Sequence, residues 1–423
     1  MNEHPSGRPT APGPDAPAPS RRRLLRLAGG ALALAATGAA VTGCDGDAGG
    51  GTSGGGSAKP SVSAGKGGNK GKAGNRGDGA PEPRWQAQTT AEAMGVVQAL
   101  VVADGVVIAT GDPLKGYDAA TGKERWSREE LTVPGAQMLL GDGTLYLASG
   151  QYDGDVVGID PATGEETWRS RLGGAYGDPR VVAVDDTQVY VIAAEVEDGE
   201  LTRRNVIAAI DTASGRPVWK ERRDAGTEEH GIIAAVLGRH LIYTDYRKNL
   251  TVRDTATGRQ VWTHKVGEYN YQRFGVAAGL VMLADGGKLR AFDVESGKQR
   301  WALAAEEFTK FVGPTVLEGV LYVSDTNRKL FALDPASGDV MWENTGLSDR
   351  EATSPWHFAL SGDVLYAATE LDPRGGVYAL DARTGDYRWT YNDGSGELDE
   401  WFVTTAGGSV FCLHGKRLTA LPA

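Results

Sequence analysis

Cysteine and histidine are scarce: 423 residues contain only two Cys and six His, with one of the latter, His4, beside the N-terminus. So few thiols exclude a disulfide-stapled framework. The other histidines, at 230, 240, 264, 357 and 414, include no pair three to five residues apart, the spacing from which zinc sites are built. Acid pairs such as Glu228, Glu229 and Glu306, Glu307 carry no EF-hand spacing, so they read as solvated loop charge and no metal site is predicted. A bilayer-length apolar run is also missing. The mildly apolar stretch Leu27 to Thr42 has 16 residues and several glycines, short of the roughly 20 that a membrane span requires. No helical apolar period persists along the chain.

Positive charge is short in most of the chain. Residues 1–43 carry +3 and 44–84 carry +2, so that the remaining 339 residues hold −16 of a total of −11. A body that acidic repels nucleic acid and anionic lipid, which excludes a phosphate-tracking role and predicts no nucleic-acid partner. What the chain does hold is 60 glycines, 10 tryptophans and a 40% hydrophobic fraction, a composition suited to a turn-rich all-β protein.

The first 43 residues read as an address. Ser20, Arg21, Arg22, Arg23, Leu24, Leu25 follows a Pro-rich polar start and precedes the mildly apolar run. It resembles a twin-arginine export signal, with Arg21 and Arg22 as the pair read by the receptor. The run ends in Val41, Thr42, Gly43, Cys44. This resembles the lipobox of bacterial lipoproteins, with Val41 in place of the usual Leu, and implies lipidation at Cys44 and anchoring on the outer face of the cytoplasmic membrane, in the periplasm where an outer membrane exists. Residues 44–82 are mostly Gly, Ser, Lys, Ala and Asn and cannot bury enough surface to offset their ordering entropy, so they are expected to form a tether. Gly51, Thr52, Ser53, Gly54, Gly55 in that tether satisfies the GxSxG pattern, but the strand and helix that a nucleophile elbow needs are missing.

From residue 83 onward one string recurs: DxxTGxxxW, with Ser allowed for Thr. It runs Asp118, Thr121, Gly122, Trp126; Asp160, Thr163, Gly164, Trp168; Asp211, Ser214, Gly215, Trp219; Asp254, Thr257, Gly258, Trp262; Asp293, Ser296, Gly297, Trp301; Asp334, Ser337, Gly338, Trp342; and Asp381, Thr384, Gly385, Trp389. Successive tryptophans lie 42, 51, 43, 39, 41 and 47 residues apart, so length varies only outside the motif. The Asp and hydroxyl can bond backbone groups across a turn, the Gly accepts the positive φ that closes it, and the Trp buries a large ring. Apolar runs such as Thr144 to Ala148 and Leu321 to Val323 supply further strands upstream. Four strands in about 42 residues is the unit of a propeller blade. The last unit stops after the strands near Val410 to Leu413 and Arg417 to Leu421, without a Trp, while Trp85 lies in a strand that no motif precedes. Joining the two fragments gives an all-β, eight-bladed propeller of four-stranded antiparallel blades, closed by pairing the N-terminal strand with the last blade.

Residues 83–423 thereby resemble the PQQ-like repeat propellers, a superfamily that includes BamB-type assembly lipoproteins, quinoprotein dehydrogenases and sensor-like domains. The dehydrogenase branch implies PQQ and calcium in the funnel, a vicinal disulfide over the quinone and long insertions. Here Cys412 is the one cysteine besides Cys44, in an apolar strand where an inert buried thiol is expected, and no long insertion occurs. The resemblance therefore favours a non-enzymatic scaffold or ligand-sensing lipoprotein with a protein partner at the rim and no cofactor. A PQQ- and calcium-dependent dehydrogenase and a glycan-binding module are the alternatives. In such a meander the loops leading into the innermost strands converge on one face, which nominates Gln137, Asp178, Arg180, His230, Tyr271, Arg273, Lys310, Trp356, His357, Glu400 and Trp401 as the ligand or docking face. Trp356 and Trp401 stand outside the repeat set, and plugging the funnel is the competing role for both.

Overall fold

Apolar residues occur in two arrangements along the repeat, and each dictates a layer. The middle strands are continuous runs such as Val106–Ala109, Leu330–Leu333 and Val364–Thr369, buried at every position. Strands covered on both faces need no alternation. The outermost strands, such as Gln260–Lys265 and Gln299–Ala304, alternate exposed and half-buried residues because one face meets solvent. The computed structural model describes residues 79–93, 95–151, 153–223, 234–245, 248–266, 273–350 and 353–423. The export segment with Arg21 and Arg22, Cys44 and residues 45–78 lie outside them, as do His230 and Tyr271.

The strands form eight four-stranded antiparallel sheets, each a meander running outward. Blades 1 to 8 begin with the innermost strands Leu100–Ala103, Leu139–Gly141, Tyr176–Val184, Ala234–Leu237, Phe274–Ala277, Phe311–Leu317, Pro355–Ser361 and Trp401–Ala406. The eighth blade takes its outermost strand, Trp85–Gln88, from the N-terminal end, with Trp85 opposite Ala420 and Gln88 opposite Arg417. That pairing covers an edge that would otherwise expose unpaired backbone groups.

Neighbouring blades are joined by the repeat tryptophans. Each motif glycine has a φ of 69 to 78° and donates its N–H to the carbonyl of the motif Asp at 2.8 to 2.9 Å. The preceding blade's Trp lies flat on that glycine: a methyl added to Gly122 or Gly258 would come within 2.5 Å of the Trp85 or Trp219 ring. The indole Nε1 then donates to a backbone carbonyl of the same turn, from Trp85 to Ala119, Trp126 to Pro161, Trp219 to Thr255, Trp262 to Val294, Trp301 to Pro335 and Trp342 to Ala382, at 2.6 to 3.0 Å. One bulge precedes every motif Trp, so that Gly116 faces Trp126 while Tyr117 faces Glu124, and Arg125 is left unpaired in the ladder. The bulged residue turns outward. Arg125 and Arg388 pair there with Asp118 and Asp381 at 2.6 and 2.7 Å. Val218, Val261 and Met341 occupy the same position in their blades, which accounts for their exposure.

Two junctions depart from the pattern. Gly215 rests over the Arg169 carbonyl instead of a ring, and the Trp168 Nε1 is buried without a partner among the described residues. The blade that follows is also the largest, with strands of 9, 10, 12 and 7 residues that absorb the longest spacing in the repeat. Trp389 has no motif turn after it; Gly79 bridges Thr390 and Ala80 packs against the same apolar cluster as Trp389 in its place.

The lock can be measured. Gly258→Ala is expected to cost more than the roughly 1 kcal/mol of a left-handed alanine, because its methyl meets Trp219, whereas Gly319→Ala, at φ 80° with open space around it, should cost only that backbone amount in urea unfolding. Trp219→Phe should destabilise by about 1 kcal/mol more than Trp168→Phe, since only the former removes a hydrogen bond.

Candidate functional site

Because the first strand of each blade is innermost, the loops between blades and the hairpins joining second to third strands all emerge at one end, the mouth; the DxxTG turns occupy the other. The mouth has two parts, an axial cluster and a cleft beside it.

Arg273 immediately precedes the innermost strand of blade 5, and its Nη2 donates to the carbonyl of Val97, just before the innermost strand of blade 1. Those blades are diametrically opposed in a ring of eight, so this hydrogen bond crosses the axis. The guanidinium carbon lies 5.1 Å from the ring centroid of Trp356 on blade 7. Trp356 donates its Nε1 to the Thr369 carbonyl at 3.1 Å and packs edge-on against His357 at 5.5 Å and Phe402 at 5.4 Å. A register shift between Pro355 and His357 interrupts the pleat, letting the adjacent Trp356 and His357 share one cluster. Burial, reinforced by the Arg273 charge, holds His357 well below the usual imidazole range, leaving it neutral at pH 7. Burial also pulls the Arg273 guanidinium down to about 10, still protonated at neutral pH.

Phe402 also borders a cleft of about 560 Å³ between blades 7, 8, 1 and 2. Glu92, Glu397, Asp399 and Glu400 line it, against Lys416 and Arg417. Arg417 is drawn to Asp393 at 3.3 Å, so the lining is predominantly acidic. Glu400 accepts the Gly95 N–H at 3.2 Å, and burial, with the charges of Glu370 and Asp399, pushes its carboxyl up. Large apolar side chains stand exposed at this end: Phe308, 94% exposed with a φ of 64°, Leu371 at 51% and Leu398 at 63%.

The residues nominated from sequence divide accordingly. Arg273, Trp356 and His357 meet on the axis, and Glu400 lines the cleft. Asp178 and Arg180 pair with each other at 3.0 Å at the start of blade 3. Gln137 and Lys310 are partly exposed at the mouth of blades 2 and 6. Trp401 is buried between blades 7 and 8, stacked on its cross-strand partner His414 at 4.1 Å and 6°. Phe402 and the Val97 carbonyl are the axial groups that sequence reasoning missed. Strand alternation gives the missing signal for Phe402, because adjacent residues Trp401 and Phe402 must face opposite sides. Cys412 is buried in the same blade, and burial pushes its thiol up.

Beneath Trp401, His414 Nδ1 bonds the Asp393 carboxylate at 3.1 Å, and the Ser395 N–H donates to its other oxygen at 3.0 Å. Burial alone would raise Asp393, but hydrogen bonds from His414 and Ser395 prevail and hold it at about 2. The folded value lies below the unfolded one of about 3.9, so the associated stability is present above pH 4 and lost as pH falls toward 2. Asp393→Asn is expected to remove roughly 2 kcal/mol of the difference in unfolding free energy between pH 6 and pH 2.5, read from denaturant titrations at both values.

These blades, their motif and their closure define a PQQ-like repeat β-propeller. The chain belongs to the family described as outer membrane protein assembly factor BamB, matched over residues 75–195, 111–272, 203–358 and 249–420. It is 23% identical over 274 residues to the BamB of Moranella endobia, covering 57% of this chain and 65% of that protein. It is 25% identical over 275 residues to the glycerol dehydrogenase large subunit of Gluconobacter oxydans, covering 63% of this chain but 32% of that one. The matches thus span less than two thirds of either relative's length. BamB from Moraxella catarrhalis superposes with a TM-score of 0.52 at 18% identity, over 80% of this chain and 98% of that structure, a likeness of fold.

Proposed function

We propose that this chain is a non-enzymatic, extracytoplasmic lipoprotein whose propeller presents its mouth to a protein partner. The observation that carries the reading is the exposure of Phe308, Leu371 and Leu398 at one end of the ring, two of them flanking or adjoining the acidic cleft. Large apolar side chains standing in water around a cleft mark an interaction surface. The body's charge of −16 favours a partner with a basic surface. Likeness to BamB, by name an assembly factor, supports a scaffold role. The Arg21, Arg22 pair and the Val41 to Cys44 lipobox support export and anchoring through Cys44.

The glycerol dehydrogenase relative favours a second reading, a dehydrogenase using PQQ and calcium. Calcium takes six to eight oxygen ligands. The axis offers a guanidinium, an imidazole and two aromatic rings, and no three His, Cys, Asp or Glu among the described residues are grouped to hold a metal. The described axial residues do not fit a calcium ion.

Photo-crosslinking in the native membrane tests the partner reading. A benzoylphenylalanine at Leu371 or Leu398 is expected to give one discrete protein adduct that the same probe at Val261, on the outer edge, does not give. Equal labelling from all three positions, or none, would sink it. Saturable binding of PQQ with calcium, accompanied by dye reduction with an alcohol or sugar, would establish the dehydrogenase instead.

A further inference from the structure

We infer that the propeller axis is a binding site for one small carboxylate anion, held by Arg273 with His357. This does not rest on the partner reading. A guanidinium partly withdrawn from water needs a counter-charge or a full set of acceptors on its buried side. Arg273 has neither: its contacts are the Val97 carbonyl and the Trp356 ring, no carboxylate among the described residues pairs with it, and its Nε is shielded from solvent without a partner. One carbonyl dipole and one π face supply attraction but no negative charge.

A second unsatisfied group borders the same indole. His357 is only 5% exposed, and its Nδ1 has no hydrogen-bond partner among the described residues. As a neutral imidazole with its proton on Nδ1, it supplies a further donor. The cluster therefore presents a protonated guanidinium and an unfilled imidazole nitrogen, and beyond the Val97 carbonyl no acceptor among the described residues completes either. A water molecule can satisfy the hydrogen bonds but leaves the charge. A carboxylate satisfies both, because its two oxygens match the guanidinium fork. Arg273 keeps part of its surface exposed, which leaves the axis a route to solvent. An acidic macromolecule is the wrong source for the carboxylate, since the body's charge of −16 repels it over a long range, whereas a small monoanion in ordinary salt is screened.

The test uses the full chain and formate as probe, followed by calorimetric titration at constant ionic strength, and bromide as a heavy anion in crystals of the unsubstituted protein. Saturable formate binding is expected, weakened by at least about tenfold in Arg273→Gln and by less in Arg273→Lys, with an anomalous bromide peak on the axis beside Arg273. Equal formate affinity in Arg273→Gln would overturn the inference. So would crystals whose axis shows no bromide, even if the variant fails to fold, because the guanidinium would then be satisfied by water and Trp356. Saturation of the axis by PQQ and not by formate would also overturn it.

Discussion

The ring depends on a tryptophan lying on the glycine of the next blade. A four-stranded sheet of this size has two apolar faces and cannot bury either by itself. Stacking Trp219 on Gly258, or Trp301 on Gly338, covers one face and fixes how far the next blade turns, because the indole N–H must also reach a carbonyl of that turn. Only glycine serves there: a side chain would collide with the ring, and the backbone is left-handed. Motif spacing is therefore invariant within the turn, where ring, glycine and carbonyl must coincide, and free between turns, where the length of a hairpin affects neither.

Closure is the same contact made by residues from the two ends of the folded ring. Trp85 completes the last blade and rests on Gly122 of the first, so the blade built from two distant pieces is coupled as tightly as any other. On its other side Trp389 faces a blade without a motif turn, and the chain from Gly79 covers that place. The pairing must form between residues more than 300 positions apart, which places a loop-closure cost on closing the ring.

Most of this architecture was legible because repetition amplifies a local signal. Seven copies of one turn identify a blade even where a single strand is ambiguous, and the unmatched Trp85 with the unmatched C-terminal strands identifies the closure. What repetition does not encode was less legible. The bulge before each Trp leaves no mark in the motif, since Arg125, Thr167 and Val218 share that position without sharing chemistry. At the mouth, the topology told which loops converge but not which way each side chain turns. Trp356 and His357 lie together because the pleat is interrupted there, whereas Trp401, in a regular pleat, turns to His414 and leaves the axis to Phe402.

The axis is where the repeat has to fail. Eight equivalent strands surround it, yet there is room at the centre for very few side chains, so the positions that are alike by topology cannot be alike by contact. One long side chain from blade 5 crosses to the opposite wall, and blades 7 and 8 supply the rings around it. Such a residue is set by local fit and charge and not by the requirement to join blades, which acts at the opposite end through the turns. The two ends of the ring are thereby separated in their demands: one holds the blades together and is uniform, the other is released from that duty and is free to differ from blade to blade. A guanidinium with no counter-charge among the described residues, at the centre of the free end, is a cost the blade contacts do nothing to require, and that places the reason for it outside the folding of the ring.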